Sequence, residues 1–511
     1  MRDIVTKIDD VIIARKKNEV FLELFADQGL LRELSDFFTF EVPGAKFMPQ
    51  YRNKVWDGKI RLFNNKDHTL YYGLIHHIDR FCKEREYTLK LDDSIEAADN
   101  WSLRDTIEFE KELQLPFKAR DYQREAFTYA VRNRRGVLVS PTASGKSLII
   151  YMLAQHFAVK PGGKILIIVP TTSLVYQMAK DFKDYGFDQD CHCITAGVDK
   201  DATEQVTIST WQSIYKMPKS YFQQFDVVVG DEAHLFKAKS LTSIMTKLIS
   251  CKYRFGLTGT LDGAQTHKLV LEGLFGPVKQ VVKTKELIDN KQLADFKIKA
   301  IVLKHPSEDC KALKDAKYQD EVDWIVRNEE RNKFLANLSL SLKGNTLLLF
   351  QFVEKHGKVL EEMIRSRAEE GRKIFYVYGG TDADTRESVR AITEKEEDAI
   401  IVASYGTFST GINIKRLHNI IFSSPTKSRI RTLQSIGRGL RKGGGNEAEG
   451  IKDKQQATLF DIADDITWKT RANYTLKHFA ERIKIYNQEK FDYKIYKVKL
   501  NGTANQTNTV Y

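Results

Sequence analysis

The sequence predicts an α/β protein in which two parallel-sheet units follow a small α+β domain. Three observations predict it. Short continuous apolar runs, such as Val137-Leu138-Val139 and Ile165–Val169, alternate with segments of helical apolar spacing, as parallel strands covered on both faces do. The first of these runs leads through Ser140-Pro141-Thr142-Ala143-Ser144-Gly145-Lys146-Ser147 into a helix, the arrangement that cradles phosphate. A third run, Phe225–Gly230, delivers Asp231 and Glu232 at its carboxyl end, the edge where open α/β sheets bind ligands.

At 511 residues the chain has room for two to four domains of about 150 residues each. An apolar content of 42% with 29% charged residues is that of a globular protein with large cores. No run approaches the roughly 18 apolar residues of a membrane span. The start, Met1-Arg2-Asp3-Ile4-Val5, lacks the apolar core of a signal peptide, so a cytosolic protein is expected. A net charge of +12 favours a polyanionic partner, most simply nucleic acid. The five cysteines form no Cys-x-x-Cys pair, and Cys191-His192-Cys193 is too tight for a usual zinc site. Buried thiols are expected, with neither disulfides nor zinc.

Residues 1–103 form the N-terminal basic α+β unit. Between Phe47 and Phe63, Tyr51, Arg52, Lys54, Trp56, Lys59 and Arg61 interleave rings with cations. Asp57-Gly58 reads as a hairpin turn between short strands. Two readings stand for this stretch. One is a surface that stacks bases and neutralises phosphates; the other is a Trp-anchored core with a solvated basic face. The polar run Asp92–Asn100 reads as a linker.

Residues 104–285 form the nucleotide-binding unit. Phe117 and Gln123 precede the phosphate loop, and the Gln123 amide can meet an adenine edge as donor and acceptor together. Loop amides face the anion, Lys146 reaches the outer phosphates, and the Ser147 hydroxyl is a ligand for Mg²⁺. Asp231 is the metal-binding acid, and Glu232 orients and deprotonates the attacking water. Other strands end in Pro170-Thr171-Thr172, Thr210 and Thr258-Gly259-Thr260.

Residues 286–328 read as a connector that carries a strand, Ile298–Lys304, and 329–500 as a second α/β unit without a phosphate loop. Its strands lead to Gly379-Gly380-Thr381 and to Ser409-Thr410-Gly411-Ile412-Asn413. Gln434, Arg438 and Arg441 fall on one helix, where the two arginines share a face. Arginines reaching across a cleft stabilise a transferring phosphoryl group; the alternative is a solvated basic face. Tyr474–Leu500, rich in aromatics and lysines, reads as a closing helix and strand or as part of a nucleic-acid surface. Residues 501–511 read as a disordered tail.

This ordered set resembles superfamily 2 helicases and translocases over residues 115–465. The resemblance implies two RecA-like lobes that use ATP and Mg²⁺. Phe117 and Arg120–Gln123 match the adenine-reading motif, residues 140–147 the phosphate loop, and Asp231-Glu232-Ala233-His234 the acidic box in its DEAH spelling. His234 would couple that box to Thr258, Gly259 and Thr260. Gly411, Asn413, Gln434, Arg438 and Arg441 would complete the nucleotide site. Pro170, Thr171, Thr172, Thr210, Gly379, Gly380 and Thr381 would hold one nucleic-acid strand, joined by Tyr51, Arg52, Lys54, Trp56 and Lys59 of the N-terminal unit. Two departures stand out. Ala143 replaces a common Gly, and Thr258-Gly259-Thr260 replaces the usual Ser-Ala-Thr.

The motif order resembles the branch with restriction-type, XPB-like and RecG-like DNA translocases, and the likeness extends into the N-terminal unit. It implies a monomeric helicase acting on branched and single-stranded DNA, and on RNA–DNA hybrids, in recombination, repair and replication alongside other recombination proteins. Competing functions are a duplex translocase without strand separation, an RNA helicase, and a non-catalytic strand-annealing module.

Overall fold

Three main sheets carry the chain, one mixed and two wholly parallel. The computed structural model describes residues 10–500 apart from 43, 202, 262–264, 412–413, 427 and 441–453. Asn413, Arg441 and the expected tail 501–511 therefore lie outside the described residues. The chain divides into two compact units, Met1–Ser140 with Gly145–Val282, and Lys283–Tyr511 with the loop Pro141–Ser144.

The N-terminal domain has strands β1 (Val11–Lys16), β2 (Phe21–Phe25), β3 (Thr39–Glu41), β4 (Lys59–Arg61), β5 (Thr69–Tyr71) and β6 (Thr88–Leu91). Four of them form a sheet in the order β5-β2-β1-β6, and β3 pairs with β4 separately. Alternation buries Ile12, Ala14, Leu22 and Leu24 on one face, against Leu34, Ile78 and Phe81 of helices Gln28–Phe37 and Ile75–Arg85. The expected two-residue turn at Asp57-Gly58 is absent. Residues 42–58 join β3 to β4 through a 3₁₀ turn, Ala45–Phe47, and a short helix, Pro49–Arg52. Pro49 at the first helical position starts that helix without losing a hydrogen bond. Gly58, at φ +80°, enters β4 instead of forming a hairpin tip. The run 92–100 lacks regular structure but is pinned, with Glu96 paired to Arg134 and Lys252.

The first lobe contains β7 (Arg135–Val139), β8 (Ile165–Val169), β9 (Cys191–Ile194), β10 (Val206–Thr210), β11 (Val227–Asp231), β12 (Tyr253–Thr258) and β13 (Val278–Gln280), ordered β13-β7-β12-β11-β8-β10-β9 and all parallel. Period-2 alternation gives the sheet two apolar faces. Leu138, Ile167 and Val229 enter one core, while Val137, Leu166 and Val228 enter the other. This two-faced burial is why the strands read as unbroken apolar runs.

The second lobe contains β14 (Asp295–Lys304), β15 (Thr346–Phe350), β16 (Ile374–Val377), β17 (Ile400–Ser404), β18 (Asn419–Phe422), β19 (Gln456–Asp465) and β20 (Tyr493–Lys499). Their order is β16-β17-β15-β18-β19-β14-β20, again all parallel. The expected connector 286–328 is corrected here. β14 lies inside this sheet, paired along its whole length with β19, so most of that stretch belongs to the lobe. The strand expected at Ile298–Lys304 is present and longer, but its sheet partners come from more than 150 residues later. Among the described residues, no helix is long and apolar enough to cross a membrane.

The N-terminal domain is seated on the first lobe through a polar seam. At Gly73 a Cβ would meet the Glu272 carbonyl oxygen at 1.9 Å, so only glycine permits this approach. His77 Nε2 lies 2.7 Å and His76 Nε2 3.8 Å from the Glu272 carboxylate. Arg135 bonds Glu19 and stacks 3.9 Å from the Tyr72 ring. Burial alone would raise the Glu272 pKa, but His76 and His77 outweigh it and bring it from 4.5 down to about 2. A carboxyl whose folded value lies below its unfolded one stabilises above the unfolded value and ceases to do so as pH falls towards the folded one. Thermal denaturation of the full chain should therefore lose stability between pH 4.5 and about 2. Glu272→Gln should flatten that dependence and cost about 3 kcal/mol at pH 7, since it breaks the pairing of a buried carboxylate with His77 and His76.

Candidate nucleotide and nucleic-acid site

β7 ends at Val139, and its loop turns back under the sheet edge. Ser140 N–H donates to the Thr258 carbonyl at 2.8 Å, and the Ser144 hydroxyl donates to the Pro141 carbonyl at 2.7 Å. Ala143 and Gly145 both take left-handed backbone, at φ +67° and +77°. For Ala143 this costs on the order of 1 kcal/mol, which is where the common Gly would sit without strain. The helix Lys146–Ala154 then begins with its N-terminus toward the loop. Lys146 Nζ reaches only the Ser140 carbonyl, at 3.4 Å. A buried Gln123 ties this loop to the helix Asp121–Asn133. Its Oε1 accepts from Arg120 N–H at 2.8 Å and its Nε2 donates to the Gly145 carbonyl at 3.2 Å. Gln123, the expected adenine reader, is thus a strut between that helix and Gly145. Phe117 is half-exposed, its ring edge-on to Tyr185 at 5.6 Å.

β11 lies beside β12 and β8, and its carboxyl end carries the acidic box. Desolvation, and then the charge of Glu232, push the Asp231 carboxyl from 3.8 up to about 6, while Lys146 pulls the other way. An oxygen site with surplus negative charge is one that a hard divalent cation neutralises. The carboxylate of Asp231 and the hydroxyl of Ser147 are donors of the type Mg²⁺ takes. Glu232 holds φ +51°, a strained left-handed conformation for a residue with a Cβ. From it a polar chain runs on. The buried His234 Nδ1 lies 3.3 Å from Glu232 Oε2 and 2.9 Å from Thr258 Oγ1, and Thr258 Oγ1 donates to the Thr260 carbonyl at 2.9 Å. Because the Thr258 hydroxyl proton is already engaged, His234 must donate to it through Nδ1–H.

The strand-holding candidates follow the carboxyl ends of β8, β10 and β16. Pro170 and Thr171 are partly covered and Thr172 is exposed, with the Thr171 hydroxyl 3.1 Å from Ser173 Oγ. Thr210 is buried, and its hydroxyl pairs with Ser213 at 2.9 Å. Gly379 and Gly380 are exposed, and the Thr381 hydroxyl accepts from Tyr378 N–H at 3.1 Å. In the second lobe, Gly411 closes the helix Tyr405–Gly411, and the helix Arg429–Gly439 carries Gln434 and Arg438.

In the N-terminal domain, Arg52, Lys54 and Lys59 are exposed, beside Phe47 at 77% and Val55 at 79% exposure. Trp56 is not a core anchor; it is partly covered, its Nε1–H donating to the Lys59 carbonyl at 2.8 Å. Tyr51 is partly covered and packs beside Gly58.

Sequence reasoning missed two groups. Tyr185, at the end of helix Thr172–Asp184, places its hydroxyl 2.7 Å from Ser147 Oγ. In the second lobe, Arg482 is buried. Its guanidinium makes a two-pronged bond to Asp461 and also donates to the Thr426 carbonyl at 2.6 Å, just before the helix of Gln434 and Arg438. Arg331 does likewise between Asp464 and the Ser423 carbonyl. The Asp461 and Asp464 spacing on a continuous apolar strand was the available signal, since buried acids need partners.

Three family models match the chain: "DNA helicase UvsW, N-terminal" over residues 15–92, "Type III restriction enzyme, res subunit" over 116–263, and "Helicase conserved C-terminal domain" over 330–443. The ATP-dependent DNA helicase uvsW of Enterobacteria phage T4 is 36% identical over 498 residues, 93% of this chain and 97% of that protein. The DNA 3'-5' translocase XPB2 of Sulfurisphaera tokodaii is 26% identical, over 70% of this chain and 83% of that one. Among solved structures, an ATP-dependent Type ISP restriction-modification enzyme, LlaBIII, bound to DNA shares the fold. Its TM-score is 0.54 at 17% identity, over 76% of this chain and 32% of that one.

With Tyr185 as the donor, the Ser147–Tyr185 bond takes up a lone pair of Ser147 Oγ and competes with a cation for that oxygen. Tyr185→Phe removes that competitor and keeps the ring edge against Phe117. Its Michaelis constant for Mg·ATP should fall about fivefold, the equivalent of one neutral hydrogen bond, in steady-state ATPase assays. An unchanged constant would show that Ser147 is not in competition.

Proposed function

The chain belongs to the UvsW family and is an ATP-dependent DNA helicase of superfamily 2, and from that premise we propose that it remodels branched DNA. The actions in this reading are regression of stalled forks, branch migration of four-way junctions and unwinding of R-loops, in recombination, repair and replication. The substrates are branched and single-stranded DNA and RNA–DNA hybrids, and the protein works as a cytosolic monomer. The observation that supports the reading is the likeness to the phage T4 uvsW helicase, 36% identical over 93% of this chain and extending through the N-terminal domain; the polar chain from Glu232 through His234 to Thr258 and Thr260 supports its motor.

In this mechanism Lys146 and the loop amides bind the phosphates of ATP, and Gln123 and Phe117 position its adenine. Asp231 and Ser147 hold Mg²⁺, which when bound neutralises phosphate charge. Glu232 orients water and takes its proton. Gln434, Arg438 and Arg441, with Gly411 and Asn413, complete the site when the lobes close, and the arginines stabilise the charge of the transferring group. His234 reports the state of Glu232 to Thr258, Gly259 and Thr260. Pro170, Thr171, Thr172, Thr210, Gly379, Gly380 and Thr381 grip one strand by its backbone, which positions without reading sequence. The cation-rich stretch with Tyr51, Arg52, Lys54, Trp56 and Lys59 meets duplex or junction DNA. Because its domain is seated on the first lobe, that contact travels with the lobe.

Lys146→Ala should abolish DNA-stimulated ATP turnover by at least about 10²-fold; wild-type turnover would reject the site. His234→Ala should keep ATPase within about tenfold of wild type, the scale of one lost hydrogen bond, while losing displacement of a labelled fork strand. Equal loss of both would remove His234 as a coupling group. ATPase stimulation by single-stranded, duplex and four-way-junction DNA, run beside RNA, tests the substrate. Stimulation by RNA alone would overturn the branched-DNA reading.

A further inference from the structure

In the second lobe, β14 and β19 lie side by side and end at Lys304 and Asp465. Just past those ends is a cavity of about 50 Å³. By the measure in which one water needs about 10–15 Å³, this is room for a phosphate group. Lys314, Arg471 and Lys477 stand exposed at its rim, and Trp468 and Tyr474 add aromatic surface.

The pocket is rigid. Trp468 and Arg471 close a tight two-residue turn through paired backbone bonds of 3.3 and 3.0 Å, with Lys469 at its tip in left-handed backbone, φ +54°. Arg471 also donates to the Lys314 carbonyl at 2.8 Å, tying the turn to the facing loop. Asn473 holds the floor, accepting from Ile466 N–H and donating to Glu321 and to the Asp464 carbonyl.

Its charge is positive. Glu321, the buried acid at the floor, accepts from Tyr474 N–H at 2.9 Å and Thr475 N–H at 2.7 Å, so its negative charge is offset by a helix N-terminus. Asp315, at the mouth, is already paired with Lys314 and Arg471. The exposed ring of Tyr474 stands beside that of Tyr318, with centroids 6.2 Å apart, and Lys477 lies 5.7 Å from the Tyr474 centroid. A preformed anion pocket beside exposed aromatic faces is the chemistry of single-strand binding, in which cations take phosphates and rings stack bases.

We propose that this pocket is a second contact for single-stranded DNA, taking a backbone phosphate between Lys314, Arg471 and Lys477 and stacking the adjoining base on Tyr474, whose ring Tyr318 supports edge-on. It is distinct from the loop Gly379–Thr381. That loop follows β16, four strands from β19 in the same sheet, on the order of 20 Å away at the usual strand spacing. In a protein acting on branches, such a contact holds a strand other than the one gripped by the motor. The inference rests on the DNA-helicase reading.

The test is fluorescence anisotropy of a labelled oligo(dT) with the full-length protein across a salt series. Lys314→Ala/Lys477→Ala, both exposed and neither assigned to the nucleotide site, should bind five- to twentyfold more weakly. Their plot of log affinity against log salt should be less steep by about 0.7, the contribution of the one phosphate no longer neutralised on a single strand. Tyr474→Ala should weaken binding at least about fivefold with the slope unchanged, as loss of stacking does. Thermal melts and ATP-analogue binding matching wild type show that these variants fold. If wild type does not bind the oligonucleotide, the DNA reading itself fails. If wild type binds and the variants match it in affinity and slope, this pocket is overturned and that reading stands.

Discussion

Asp231 carries a carboxyl group on a strand end where desolvation and a neighbouring acid both oppose its charge, and Lys146 is the counterweight. The two residues come from β11 and from the loop after β7, strands separated in the sheet by β12 alone. Parallel pairing is what makes this possible. Every strand points the same way, so every strand-to-helix loop emerges on one edge, and acids, hydroxyls and a helix N-terminus collect there. The apolar faces, Leu138, Ile167 and Val229 on one side and Val137, Leu166 and Val228 on the other, hold that edge in register.

Buried arginines are held in two ways, since the first lobe also pairs Arg124 with Glu110. In the first lobe, buried Arg254 meets no acid. It donates to the carbonyls of Met245, Leu248 and Leu274, where two helices end, and burial lowers its pKa to about 10. In the second, Arg331 and Arg482 are matched to Asp464 and Asp461, and each also holds a carbonyl just beyond β18. That segment leads into the helix bearing Gln434 and Arg438. A paired, bidentate guanidinium fixes direction as well as charge, so the approach to that helix is set from the far end of the chain. The seam around Glu272 does comparable work for the N-terminal domain, with Gly73 allowing backbones to touch.

Much of the site was legible in local spacing. The loop from Ser140 to Ser147, the acids at the end of β11 and the helix carrying Gln434 announce themselves because each combines a sheet-edge position with a residue type the chemistry requires. The connector reading of residues 286–328 failed for the opposite reason. β14 reads locally as a strand, but nothing local assigns it to a sheet, and its neighbours, β19 and β20, lie far along the chain. The Asp57-Gly58 turn failed because those residues only precede β4, and the connection from β3 is long enough to hold the helix that Pro49 starts.

By itself the sequence marked the candidates for the chemistry: Lys146, Asp231, Glu232 and His234 stand in motifs whose residue types suit binding and hydrolysing a triphosphate. It determined the two parallel sheets as well, since burial on both faces writes continuous apolar runs into the chain. Tertiary structure alone decided the partners. That Tyr185 meets Ser147, that His234 bridges Glu232 and Thr258, that Arg482 holds Thr426 and that Glu272 receives His77 all depend on side chains brought together from distant positions. The physical reason is range. Periodicity and turn chemistry act over a few residues, whereas a hydrogen bond between side chains is set by packing of the whole core.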